Sequence, residues 1–517
     1  MEKFLYKRNL EKHPKINVWF AYGAIENFAM ASLGFLSIFK ELDLNPDIFV
    51  ERVYQDTKTT LINPKDVDCM GFSVSFELDI LTIIKMLKRY NFPLKAKDRG
   101  EDDPFIFAGG PVMMSNPVPY QDFYDFIVIG EKIVLNKAFE VLKNKKNYKR
   151  DEILAQLASI KGIYVPKYPK KVTIERDNLY EEIIYTPILS DNSFFKDTFV
   201  IELERGCPKM CRFCLASWLN LPVRFVDYNK IIEAIDFGLQ YTNKIALLGA
   251  YVAGHPDFTK IIKHISKYEN IELSISSLRA DLADKDLIET LVKCGQKTAT
   301  IALEAGSQRL RDLINKDLSK NQILDTVNTM QRYGLKGVKI YAMLGLPTEN
   351  EEDIEELINL VKEMKNNLKG KIFNISISIS TFIPKPHTPF ERAERFDKKT
   401  LENRINYLKK TFHKMGVDFR PSSIEWDIVQ SILSRHQDSL ADFLIDVVEE
   451  GANLGAFKKT WRKYNKKGLL PDFEESAKAP LNNIKTLKWD FIETGAGNLK
   501  NKSCDAFLAS LHKINLI

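Results

Sequence analysis

The sequence predicts an α/β protein in three parts: an N-terminal doubly wound Rossmann-like domain, a partial (β/α)6 TIM-type barrel, and a mainly helical C-terminal region. Three observations lead there. Short apolar runs alternate with amphipathic stretches over residues 15–142, the pattern of a mainly parallel sheet covered by helices. The alternation lapses, then resumes at residue 198 and passes through six further strand–helix units. Beyond Phe390 the strands give way to helical periodicity. The expected division is a first domain at 15–145, a linker at 146–196, a barrel at 197–390 and the helical region at 391–517.

INVWFAY (16–22) reads as the first strand and 29–42 as a helix. DCMGFSVSF (68–76), PFIFAGG (104–110) and FYDFIVIGE (123–131) read as further strands. KNKKNYKR (143–150) breaks the apolar pattern, and GIYVPKYPKK (162–171) and TPILSDNSFFKD (186–197) read as connecting loop. The barrel strands are FVIELE, KIALLG, IELSIS, TATIALE, GVKIYAML and FNISISIST. After the fifth, Thr348 and Glu351 stand at capping-box spacing, and Ile354, Leu357, Ile358 and Val361 share one helix face.

The 517 residues are 44% apolar and 28% charged, an ordinary globular composition that excludes collagenous and disordered classes. Seventy-five Lys and Arg against 69 Asp and Glu leave +6, too small an excess over this length to argue for nucleic acid, which is not expected as a partner. Lys458, Lys459, Arg462, Lys463, Lys466 and Lys467 surround Trp461 and Tyr464, and are expected to be a solvated helix face with its aromatics packed inward. The start of the chain is charged, and no apolar run reaches ~18 residues. A cytoplasmic location without a transmembrane segment is therefore expected.

Six cysteines in so long a chain are no disulfide framework. Cys69, Cys294 and Cys504 stand singly, whereas Cys207, Cys211 and Cys214 crowd into one loop directly after the first barrel strand. In a (β/α) barrel, that is the end at which catalytic groups sit. Three thiolates on a tight loop can hold three corners of an iron–sulfur cube and leave one iron open. A structural zinc site would need a fourth ligand, which this loop does not offer. Buried thiols clustered by accident are the remaining reading.

The spacing CxxxCxxC after the first strand of such a barrel resembles the signature of the radical SAM superfamily. The resemblance covers about 198–390. It implies a 4Fe–4S cluster on Cys207, Cys211 and Cys214, with S-adenosylmethionine (SAM) chelating the fourth iron. Reduction would cleave SAM to methionine and a 5′-deoxyadenosyl radical that abstracts hydrogen from the substrate, the cofactor carrying the hard chemistry. An electron donor such as flavodoxin or ferredoxin is implied as partner. Phe213 stands where the family has an aromatic near the adenine. Gly249 and Ala250 match the family's SAM-amino turn loosely, without its Glu. Ser276, Ser277 and Arg279 end the third strand, and an Arg can clamp a carboxylate through a bidentate fork. Glu304 would accept the ribose hydroxyls, or else pair with Arg279. Leu346, in Gly345-Leu346-Pro347, would lie near the adenine. His255 and His387 fall near strand ends and are expected to be loop residues.

A doubly wound domain before the barrel is similar to the class B arrangement, whose first domain binds cobalamin. The Asp-x-His-x-x-Gly turn that supplies an axial His is absent here, which removes the ligand and leaves the pocket. Ser73, Ser75, Gly109, Gly110, Gly130 and Glu131 end strands where a ligand crevice would form. The expectation is cobalamin-assisted methylation or a related C–H modification of a small-molecule, lipid or peptide substrate. Three other readings stay open: a cobalamin-free radical SAM enzyme, a methylthiotransferase-like enzyme acting on RNA or protein, and a cobalamin or iron–sulfur sensor without turnover. Methylthiotransferases carry three first-domain cysteines, and here that region offers only Cys69.

Overall fold

The computed structural model describes residues 2–8, 14–368 and 373–513. Its first part is a six-stranded sheet in the order Ile48–Val53, Ile16–Tyr22, Cys69–Ser73, Phe105–Gly109, Phe126–Val128, Ile163–Tyr164. All neighbours run parallel except the last pair. Among the parallel strands this is the 2-1-3-4-5 order of doubly wound sheets, whose ligand crevice opens where the first and third strands part. Both faces are covered. Trp19, Met70 and Ile106 belong to one core, and Phe20, Cys69 and Phe107 to the other. The strands read as near-continuous apolar runs for that reason. The expected helix at 29–42 is two pieces, Glu26–Ala29 and Leu33–Leu44, the second capped by the Ser32 hydroxyl, which accepts from Phe35 N–H.

The barrel has two arcs. Phe199–Glu202, Lys244–Leu248 and Glu272–Ile275 form one; Thr298–Glu304, Gly337–Leu344 and Asn374–Thr381 continue the other. A parallel bridge between Leu278 and Ile301 joins them. These are the six expected strands. A further parallel strand, Asp418–Pro421, extends the second arc inside the region expected to be helical. It is short, mostly exposed and ends in proline, as edge strands do, so it leaves no apolar alternation to read. The helix after the fifth strand spans Glu351–Asn367, and its cap is Asn350, boxed with Asp353, rather than Thr348. Thr348 instead sits at φ +65° and accepts a hydrogen bond from Arg309.

The expected linker is not wholly loop. Arg150–Ser159 is a helix that buries Ile153, Leu154 and Leu157, and Ile163–Tyr164 supplies the sixth, antiparallel strand of the first sheet. Ile188–Ser190 pairs with Glu2–Phe4. Two- and three-residue strands are too short for periodicity to register. The helical region closes on the first domain as well as on the barrel: Asn116 donates to Ser434 O and His436 O, Gln430 donates to Glu77, and Thr381 at the end of the sixth barrel strand donates to Asp427. Among the described residues, no helix is long and apolar enough to cross a membrane.

Candidate active site

The cysteine loop is built by backbone demands. Glu204–Arg205 pairs antiparallel with Arg224–Phe225, and Gly206 then turns at φ +88°, where a Cβ would stand 2.7 Å from Asn220 O. Met210 is held left-handed at φ +45° by the same tight path. Cys214 begins the helix Leu215–Asn220 and donates its N–H to Cys211 O, which also accepts from Trp218 Nε1 at 2.9 Å. From across the barrel, Asn315 Nδ2 donates to Lys209 O at 2.9 Å, and Arg212 N–H donates to Ile314 O. Cys207 and Cys211 are buried and Cys214 half-buried. Burial pushes the Cys211 thiol up to about 12, opposed by Lys316 and reinforced by the Cys214 thiol close by. Among the described residues, no three His, Cys, Asp or Glu side chains converge as on a single ion. Three thiols on one loop are the donor set of a cluster, which spreads its thiolates over separate irons.

The strand ends around the loop fall into two groups. Phe213 packs with Leu346 in one apolar cluster that also holds Ala305 and Phe382. Opposite, Ser276 Oγ donates to Gly249 O at 3.0 Å, so the second and third strand ends are tied. The sequence reasoning missed Glu204, although it stands directly before Arg205-Gly206-Cys207. Its carboxylate fills the hollow over Gly249, where a Cβ would lie 1.9 Å from Oε1, and accepts Tyr251 N–H at 2.6 Å. Glu204 is 1% exposed, its Oε2 has no partner among the described residues, and burial raises the carboxyl to about 8. A carboxylate therefore does lie against the Gly249-Ala250 turn, but it comes from the segment just past the first barrel strand.

Glu304 does not pair with Arg279. It sits at φ +66°, at a break in register with the fifth strand, and accepts from Lys316 Nζ at 3.0 Å. Arg279 turns its fork to Asp281 (2.9 and 3.2 Å) and to the carbonyls of Lys316 and Asp317. Asp281, two residues away, outcompetes a partner on the next strand. Ser277 is exposed. His255 and His387 are buried and bonded to Val226 O and Ser115 O, and burial pushes His387 down to about 4.

The six residues expected to flank a first-domain ligand all line one space. A cavity of about 280 Å³ at the carboxyl edge of the first sheet is lined by Ser73, Ser75, Gly109, Gly110, Gly130 and Glu131. Phe20, Phe72 and Phe107 make its apolar wall, and Glu202, Arg205 and Asn220 of the barrel close it. No histidine is among its lining residues. Two of the glycines answer to protein packing: a Cβ on Gly110 (φ +107°) would meet Val74 O at 2.6 Å, and one on Gly130 would meet Glu175 O at 2.7 Å. Glu131 is engaged as an ion-pair partner. Arg224 donates to both its oxygens (2.6 and 2.8 Å), Arg205 reaches it at 2.7 Å, and Asp177 N–H adds a third donor. Arg205 also forks onto Glu202 at 2.8 Å. The cavity and the cysteine loop thus share a wall, two residues before Cys207.

Comparison with known proteins bears on the same regions. Residues 34–166 match the family model of radical SAM proteins, N-terminal, and 201–361 that of the radical SAM superfamily. The uncharacterized protein MJ0966 of Methanocaldococcus jannaschii is 32% identical over 406 residues, covering 76% of this chain and 84% of that protein. The threonylcarbamoyladenosine tRNA methylthiotransferase MtaB of Aquifex aeolicus is 25% identical over 48% of this chain, which spans 62% of it. In fold, the chain is similar to the cobalamin-dependent SAM radical enzyme OxsB with aqua-cobalamin bound, at TM-score 0.54 and 14% identity over 96% of this chain and 80% of that one. Several tRNA-2-methylthio-N(6)-dimethylallyladenosine synthases also match. These tRNA-modifying relatives overturn the expectation, drawn in part from the small net charge, that nucleic acid is not a partner. A sum over 517 residues averages away any local surface, so it says nothing about what one face of the molecule can bind. The chain belongs to the radical SAM superfamily, its first domain matching the family's N-terminal model and its barrel the radical SAM model.

Proposed function

We propose that this enzyme binds a 4Fe–4S cluster on Cys207, Cys211 and Cys214 and cobalamin in the cavity against the first sheet, and that it methylates or otherwise modifies an unactivated C–H position. The observation that carries the reading is the shared wall: Arg205 lines the cavity and leads two residues later into Cys207. When bound, the cluster, SAM and cobalamin would supply one-electron SAM cleavage and methyl transfer. Phe213 and Leu346 would flank the adenine, the Gly249-Ala250 turn with Ser276 would hold the amino-acid end, and Glu304 would meet the ribose. Arg279 serves there as a brace for the 316–317 loop. Ser73, Ser75 and Gly109 would face the corrin or its tail, with Glu131 holding the wall. Anaerobic reconstitution with iron, sulfide and hydroxocobalamin, then desalting, iron counting and an absorbance spectrum, tests this. Cluster absorbance with retained corrin bands is expected. About four irons without corrin would leave a cobalamin-free enzyme, and a cluster indifferent to Cys207→Ala would end the reading.

For the substrate, the tRNA-modifying relatives favour RNA. Methylthio transfer itself lacks a second thiolate set in the first domain. Cys69 stands alone there, fully buried in the sheet, and burial holds its thiol well above its ordinary value. Transfer of label from methyl-labelled SAM into tRNA by the reconstituted enzyme is the expected result; label found only in protein would refute an RNA substrate.

A further inference from the structure

In a closed (β/α) barrel, bulky branched side chains fill the interior. Here strand alternation does the reverse. Val338, Ile340 and Ala342 of the fifth strand, and Ile375, Ile377 and Ile379 of the sixth, are buried in the core shared with the surrounding helices. Their alternates must point to the other face. These are Lys339, Tyr341, Ser376, Ser378 and Ser380, each half-buried or exposed. Register aligns them into rows. One runs Thr300, Lys339, Ser376, Asp418; the next runs Ala302, Tyr341, Ser378, Arg420. Tyr341 is 37% exposed although it lies mid-strand in a central position of the arc. Lys339 Nζ stands 4.8 Å over its ring, and Arg420 pairs with Asp418 at 2.6 Å. An accessible aromatic ring, two cations and a bank of hydroxyls therefore share one concave face.

We propose that this inner face binds one nucleotide of a single-stranded RNA substrate, with its base on the Tyr341 ring, its polar edge toward Ser376 and Ser378, and its phosphate met by Lys339 and Arg420. The inference rests on the RNA reading above and names the residues that would read the RNA. An aromatic ring serves any base as a stacking platform, and nearby cations track the backbone. The flexible Lys339 ammonium, now over the ring, can swing to the phosphate as the base arrives. Tyr341 lies three residues before the strand end, about 10 Å below it at the usual rise per residue. The nucleotide held there is thus a neighbour of the reacting one, and the face acts in recognition.

The test uses the full-length reconstituted protein and fluorescence anisotropy with two probes, a labelled single-stranded RNA 12-mer and a labelled acidic peptide of similar charge. Tyr341→Ala should weaken RNA binding by about tenfold or more, and Tyr341→Phe should bind as the parent does. Lys339→Ala should weaken binding and flatten its dependence on log salt by about 0.7, with Lys339→Arg restoring both. Circular dichroism and the cluster spectrum of each variant identify any that has failed to fold, and the conservative variants then carry the test. RNA binding unchanged in folded Tyr341→Ala would overturn the assignment of this face while leaving the RNA reading intact. Peptide bound and RNA not bound, or neither bound, would overturn both. Corrin retention and SAM cleavage in the same preparations report separately on the enzyme reading.

Discussion

Replacing Glu131 by Ala removes the acceptor that joins the first domain to the strand entering the cysteine loop. The side chain is 9% exposed, and its guanidinium partners Arg224 and Arg205 are 11% and 18% exposed. Taking one member from a buried ion pair leaves an uncompensated charge and costs about 3–5 kcal/mol. Arg205 retains its fork onto Glu202, and Arg224 retains Asp177 O at 2.9 Å, so the low end, about 3 kcal/mol, is expected. Urea unfolding of Glu131→Ala, Arg224→Ala and the double variant, followed by tryptophan fluorescence, isolates the pair. Single effects that add within about 0.5 kcal/mol would refute the coupling. Burial alone would raise the Glu131 carboxyl, but Arg224 and Arg205 outweigh it and hold the group below its ordinary value of 4.5. Its stabilising contribution is therefore complete above about pH 4.5 and fades as pH falls through the depressed value. The difference between parent and Glu131→Ala should shrink on acidification; a difference that grew would reverse the argument.

Three further outcomes follow from the same geometry. Gly110→Ala places a Cβ 2.6 Å from Val74 O at a φ of +107°, so it should destabilise the first domain by about 2 kcal/mol or more and lower corrin retention; unchanged unfolding would sink the account. Gly249→Ala collides with the Glu204 carboxylate, so SAM affinity measured by calorimetry should fall, and Glu204→Ala in the same chain should recover part of it. Burial lifts Asp79 to about 6 even though it accepts from Ser75 and Phe76 N–H, so the folded state prefers the neutral acid. Stability should then decline as pH rises from about 4 to about 6, by about 2–3 kcal/mol, and Asp79→Asn should abolish that slope in unfolding midpoints.

Much of the fold was legible because its signals are local. Near-continuous apolar runs such as Ile16–Tyr22 announce strands buried on both faces, and the alternation of Ile and Ser in Asn374–Thr381 announces one buried on a single face. The edge strand Asp418–Pro421 escaped, since an exposed strand has no apolar pattern to show. Arg150–Ser159 escaped because the charged run ahead of it masked three buried apolar residues. At the site, the cysteine spacing was readable directly, whereas pairings were not. Glu304 found Lys316 and not Arg279, because Asp281 lies nearer to that guanidinium.

By itself, the sequence determined the order of the longer strands and helices and the three-thiol loop, both of which depend on neighbours a few residues apart. Only the tertiary structure decided that Glu204 fills the hollow over Gly249, that Glu131 grips Arg205 and Arg224 across a domain boundary, and that Lys339 and Tyr341 share an open inner face with Ser376 and Ser378. Those relations join side chains separated by tens of residues or more. Which charges meet, and which face stays uncovered, is settled by how the two sheets and the helical region pack together, and no local pattern encodes it.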